Sequence, residues 1–127
     1  MNAMALTLSQ VRYTNKTDKP WSIFQLSSHE HMRGIRFTAW RSDGTRLFEN
    51  LDWSHPPILD YDPPLVLQPG DYIEYECEHD NGVTRPQRLC GDSPDDRNCT
   101  PGQPVPLRFG LSATDDMCLL TGKYYTD

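Results

Sequence analysis

At 127 residues, with 36% hydrophobic residues, 10% aromatics, 11 prolines and 8 glycines, the chain is one domain able to bury a single core. Its composition suits many short strands joined by defined turns better than helices. A formal net charge of −6 argues against a nucleic-acid partner, which needs a basic surface to neutralise phosphates, and no apolar run approaches the roughly 20 residues of a membrane-spanning helix.

Residues 1–4, Met1-Asn2-Ala3-Met4, read as a cloning remnant rather than a signal peptide, leaving 5–127 as the domain. Residues 5–14 form a first strand, Asn15 to Pro20 a turn, and residues 21–31 a second strand ending in His29-Glu30-His31. After Gly34, the residues Ile35, Phe37 and Ala39 alternate with Arg36, Thr38 and Trp40, which predicts a strand with the first set inward. Ser42-Asp43-Gly44-Thr45 is a hairpin signal, with the chain returning through 46–51. The stretch from Trp53 to Pro64 holds four prolines and is expected to be an ordered loop, since proline removes a ladder donor.

Leu65-Val66-Leu67 leads into the turn Pro69-Gly70-Asp71. The next strand is the cleanest, with Ile73, Tyr75 and Cys77 on one face and Glu74, Glu76 and Glu78 on the other, and Asp80-Asn81-Gly82 closes it. Residues 83–104 read as an irregular loop insertion, Val105, Leu107 and Phe109 begin a strand, and residues 116–125 form the last one. About eight strands with regularly spaced turns predict an all-β, antiparallel jelly-roll β-sandwich.

Four cysteines at 77, 90, 99 and 118 include no Cys-x-x-Cys pair, so zinc-ribbon and thioredoxin readings have no support. Their even number suits disulfides in an exported domain, secreted or periplasmic, with three pairings open. His29 and His31 are spaced i, i+2, which along an extended strand aims both imidazoles to one side. Continuing their parity through Ile35, Phe37 and Ala39 predicts that they face an enclosed rim. Met117, after the polar run Thr114-Asp115-Asp116 and before Cys118, is the candidate third ligand, because a soft thioether beside two imidazoles selects Cu(I). Met32 is the competing sulfur but points to the face opposite His31. His55 reads as a loop-packing residue, and His79 shares the parity of Cys77. Asp92, Asp95 and Asp96 fit no calcium-loop spacing and read as part of a solvated loop. No nucleotide or hydrolase motif is present, and the cupin pattern fails because Glu49 lies far beyond the histidines.

These residues resemble the C-terminal, catalytic-copper domain of the copper type II, ascorbate-dependent monooxygenases, a family that includes peptidylglycine α-hydroxylating and dopamine β-monooxygenases. The matching pieces are His29-Glu30-His31-Met32-Arg33-Gly34, similar to the family's His-x-His-x-x-Gly; Pro69-Gly70-Asp71 leading to Cys77; and Asp115-Asp116-Met117-Cys118 followed by Tyr124-Tyr125. Asp116 stands where the family has glutamate. Trp53-Ser54-His55-Pro56 and Tyr61-Asp62-Pro63-Pro64 resemble bacterial relatives. The resemblance implies one copper ion held by His29, His31 and Met117, a family disulfide Cys77–Cys118, and Cys90–Cys99 as the second link, in a loop that the shorter animal domains lack. It also implies O2 as a partner, an unidentified small-molecule or peptide substrate, and ascorbate as external reductant. The family's N-terminal electron-donor copper domain has no counterpart in this sequence, so a donor domain or protein is a further expected partner. The alternative is a non-catalytic copper-binding or copper-handling module.

Overall fold

The computed structural model describes residues 6–80, 89–92, 94, 99–103 and 117–126. Among these residues seven strands run β1 (Leu6–Thr14), β2 (Trp21–Glu30), β3 (Gly34–Arg41), β4 (Arg46–Asn50), β5 (Ile58–Leu67), β6 (Tyr72–Asp80) and β7 (Cys118–Tyr125). They form two antiparallel sheets, ordered β1-β6-β3-β4 and β5-β2-β7, and the all-β sandwich is as the alternation predicts. Among the described strands only β3 and β4 are neighbours in both chain and sheet, so the chain crosses repeatedly between the layers. The expected residues 1–4, the turn at 81–82, most of the 83–104 insertion and the strand beginning at Val105 lie outside the described residues.

Side chains from both sheets make the core. Phe37 of β3 stacks between Phe48 of β4 and Tyr75 of β6, each with ring centroids 5.5 Å away. Trp21, Ile23 and Leu26 of β2 and Leu65 and Leu67 of β5 close the other side. On β6, burial alternates as the sequence predicts, with Ile73, Tyr75 and Cys77 inside and Glu74, Glu76 and Glu78 on the outer face. There Arg12 pairs with Glu74 at 3.1 Å, and Arg36 bridges Glu76 and Glu78 at 3.2 and 3.1 Å. These partly exposed pairs fix cross-strand register more than they add stability.

Local chemistry explains the turns. Gly44 has φ +89°, a conformation costly for residues with a Cβ. The hairpin around it closes through Arg41 N–H to Thr45 O at 2.8 Å, while the Asp43 carboxylate accepts from Thr45 N–H at 2.9 Å. That bond holds the Asp43 carboxyl below its ordinary pKa. Asn15, fully buried, donates from Nδ2 to the carbonyls of Lys19 and Leu67, both at 2.9 Å, and accepts from Thr17 N–H and Oγ1. It ties the β1–β2 turn to the end of β5.

One element differs from expectation. Residues 58–64 belong to β5 rather than to an ordered loop. Among the described residues β5 has a single strand neighbour, β2, and at such an edge proline is tolerated. It pairs with β2 at Ile58–Asp60 and again at Leu65–Leu67, and the Asp62-Pro63-Pro64 stretch falls in the gap between.

Candidate metal centre

The centre is built at the end of β2. At the start of β2 Trp21 and Ile23 point inward, but the pairing of β2 with both β5 and β7 slips between Ile23 and Gln25. A bulge of this kind shifts strand parity by one. Beyond it Leu26, Ser28 and Glu30 point inward and His29 is exposed. The expected shared parity of the histidines with Ile35, Phe37 and Ala39 is therefore corrected, and a second slip between Gly34 and Arg36 breaks the phase again.

The imidazoles meet nevertheless. His31, just past the end of β2, is 7% exposed, and its Nε2 lies 3.2 Å from Nε2 of His29. The rings stand edge to face at 87°, with centroids 5.1 Å apart. A tight turn sets this arrangement, with Gly34 N–H donating to the His31 carbonyl at 2.8 Å. Inside the turn the buried Glu30 side chain folds over Gly34. A Cβ at position 34 would lie 2.5 Å from Glu30 Oε2 and 2.7 Å from its Cβ, so the glycine of His-x-His-x-x-Gly is required here for space.

The register brings Met117 level with His31. Glu30 opposes Cys118 across β2 and β7, so the next residues along the two antiparallel chains are His31 and Met117. Met117 is half-buried, whereas Met32 is 37% exposed. Cys77 of β6 and Cys118 of β7 form a disulfide with Cα atoms 5.8 Å apart, linking the two sheets one residue from Met117. Cys90–Cys99 is the second disulfide, and both links match the expected pairing.

His79, marginal in the sequence, lies in the same neighbourhood. It faces inward on β6, 1% exposed, with Nε2 3.4 Å from the Met117 carbonyl oxygen. Burial pushes its pKa below the ordinary value; the Met117 carbonyl opposes that shift and nearby His31 adds to it. The shared parity with Cys77 was the signal available for this residue. His55 is instead held in its own exposed loop, Nδ1 lying 2.8 Å from Asp52 Oδ2 and 3.0 Å from Ser54 Oγ. The Asp52 carboxyl is held below its ordinary pKa, first by the Ser54 hydroxyl, which donates to Asp52 Oδ1 at 2.7 Å, and then by His55. Asp92 caps a local turn by accepting from Leu89 N–H at 3.2 Å; Asp95 and Asp96 lie outside the described residues.

Two nitrogens each about 2.0–2.1 Å from a common ion at a tetrahedral angle stand about 3.3 Å apart. The His29–His31 separation is close to that, so the pair fits a shared metal ion. It also fits a single imidazole-to-imidazole hydrogen bond when no ion is bound. Among the described residues no third His, Cys, Asp or Glu joins them. Fold and site together define a disulfide-linked, all-β sandwich with paired imidazoles at one end. The chain matches no model of a known protein family, and a search of curated proteins likewise finds no match.

Proposed function

We propose that the chain is a mononuclear copper-binding domain, the O2-activating half of an ascorbate-dependent copper monooxygenase that hydroxylates C–H bonds. The single observation carrying this reading is the 3.2 Å approach of two imidazole nitrogens at a strand end, opposite a half-buried methionine. His29 and His31 would supply the nitrogen ligands and Met117 the thioether. Two neutral imidazoles and a soft sulfur favour Cu(I) and leave a position open to an exogenous ligand. Bound copper would supply O2 binding and one-electron chemistry. The chain's own work is to hold the imidazoles 3.2 Å apart and to keep the methionine beside them. Two disulfides support folding in an oxidising environment, consistent with a secreted or periplasmic domain, and no helix among the described residues is long and apolar enough to cross a membrane.

Copper titration followed by X-ray absorption of the reduced protein should show about one copper with nitrogen and sulfur scatterers. Unchanged affinity in both His29→Ala and His31→Ala would overturn the reading.

A second reading, a copper-handling module without hydroxylase activity, draws support from where the other two histidines go. His55 is engaged by Asp52 and Ser54, and His79 by the Met117 carbonyl, so neither adds to a second metal cluster. Ascorbate-dependent O2 consumption coupled to a hydroxylated product distinguishes the enzyme; peroxide without organic product indicates the binder.

A further inference from the structure

We infer that His79 is a positioning residue that fixes the backbone of Met117, so that its thioether stays at the imidazole pair; this rests on the proposed role of Met117 as a ligand.

The argument begins with β6. Its inward positions run Ile73, Tyr75, Cys77, His79, three members of a core and then an imidazole. A histidine buried to 1% exposure costs desolvation free energy unless its polar atoms are used. Nε2 lies 3.4 Å from the Met117 carbonyl oxygen. A carbonyl only accepts, so this contact is a hydrogen bond when His79 carries its proton on Nε2.

The geometry gives this bond a consequence. The ladder between β2 and β7 begins at Cys118, so among the described residues Met117 lies outside strand pairing. Two consecutive inward residues of β6 grip two consecutive residues of the incoming chain. Cys77 takes Cys118 through the disulfide, and His79 takes the carbonyl of Met117. The first clamp anchors the chain, and the second sets the peptide plane from which the methionine side chain departs. A thioether is a weak, flexible donor with three rotatable bonds; fixing its backbone reduces the freedom it must lose to coordinate. Groups that orient metal ligands in this way usually change affinity by about 10–100-fold when removed.

The test compares wild type with His79→Leu, which loses the donor, and His79→Gln, whose amide N–H can reach the same carbonyl. In His79→Leu, Cu(I) affinity should fall about 10–100-fold and the sulfur scatterer should disappear, while Cu(II) affinity changes little. His79→Gln should restore both. The metal-free protein supplies an independent readout: nitrogen NMR of wild type should show the Nε2–H tautomer at His79, and amide exchange at Cys118 should be faster in His79→Leu than in His79→Gln. If wild-type copper shows no sulfur, the assignment of Met117 fails and the inference falls with it. If wild type shows sulfur but His79→Leu keeps it at unchanged affinity, only the His79 role is refuted. An Nδ1–H tautomer in wild type refutes it even where the leucine variant does not fold.

Discussion

Replacing Gly34 with alanine would put a methyl group into space that Glu30 already fills. The added carbon would meet Glu30 Oε2 at 2.5 Å and both Cβ and Cδ of Glu30 at 2.7 Å. The carboxylate end of the side chain can swing away, but Glu30 Cβ is fixed to the backbone, so the 30–34 turn itself must widen. Overpacking of this kind costs about 1–3 kcal/mol, and the lower chain entropy of alanine offsets about 0.5–1 kcal/mol. Mid-range values of about 2 and about 0.75 kcal/mol give an expected net loss of about 1.25 kcal/mol, which for a domain of this size lowers Tm by about 4–6 °C. Thermal melts followed by circular dichroism in the presence of a chelator measure this without any metal contribution. Widening the turn also separates His31 from His29, so copper affinity should fall in the same variant. A double-mutant cycle locates the cause. Glu30→Ala removes the Oε2 and Cδ contacts but not the one from Cβ, so it should relieve part of the Gly34→Ala penalty, and Glu30→Gly should relieve more. A Gly34→Ala protein as stable as wild type, or a cycle with no coupling, would refute the steric account.

Other expected outcomes follow from the same geometry. Met117→Ile should change folding stability by less than about 1.5 kcal/mol while lowering Cu(I) affinity and sparing Cu(II), and Met32→Ile should be silent in both titrations. His79 titrates lower in the folded protein than the ordinary value of about 6.5, so below that pH the unfolded chain takes up a proton that the folded one resists. Stability from this group is therefore complete above pH about 6.5 and is lost as pH falls towards the folded pKa; metal-free melts between pH 7.5 and 5.5 should show a smaller decline in His79→Gln than in wild type. Asn15→Ala leaves the carbonyls of Lys19 and Leu67 without their amide donor and should cost about 1–3 kcal/mol by chemical denaturation. The Cys77–Cys118 link spans 41 residues and Cys90–Cys99 spans 9, so loop entropy assigns about 4 kcal/mol to the first and about 2.5 to the second. Selective replacement of each pair by alanine, with denaturation, tests that order.

What the sequence alone determined about this protein is its layer architecture. Strict alternation along β6, the Asp43-Gly44 turn and the spacing of turn residues specify half-buried strands, and such strands can hide their apolar faces only against another sheet. The even set of cysteines pointed to disulfides, and the family resemblance to their pairing. Tertiary structure decided where the side chains of the candidate site point. Strand parity carries information only while the register is unbroken, and slips at Ile23/Gln25 and Gly34/Arg36 reverse it on both sides of the histidines. His29 therefore reaches His31 from the outer face, through the 31–34 turn rather than through alternation. Prolines 63 and 64 excluded a central strand but were compatible with an edge, and edge position is a property of the sheet, not of the segment. The same holds for Gly34, whose need is set by the fold of Glu30 above it, and for His79, whose partner lies 38 residues away, just before β7. Local pattern fixes which face is apolar; only long-range pairing fixes what a polar group on that face will meet.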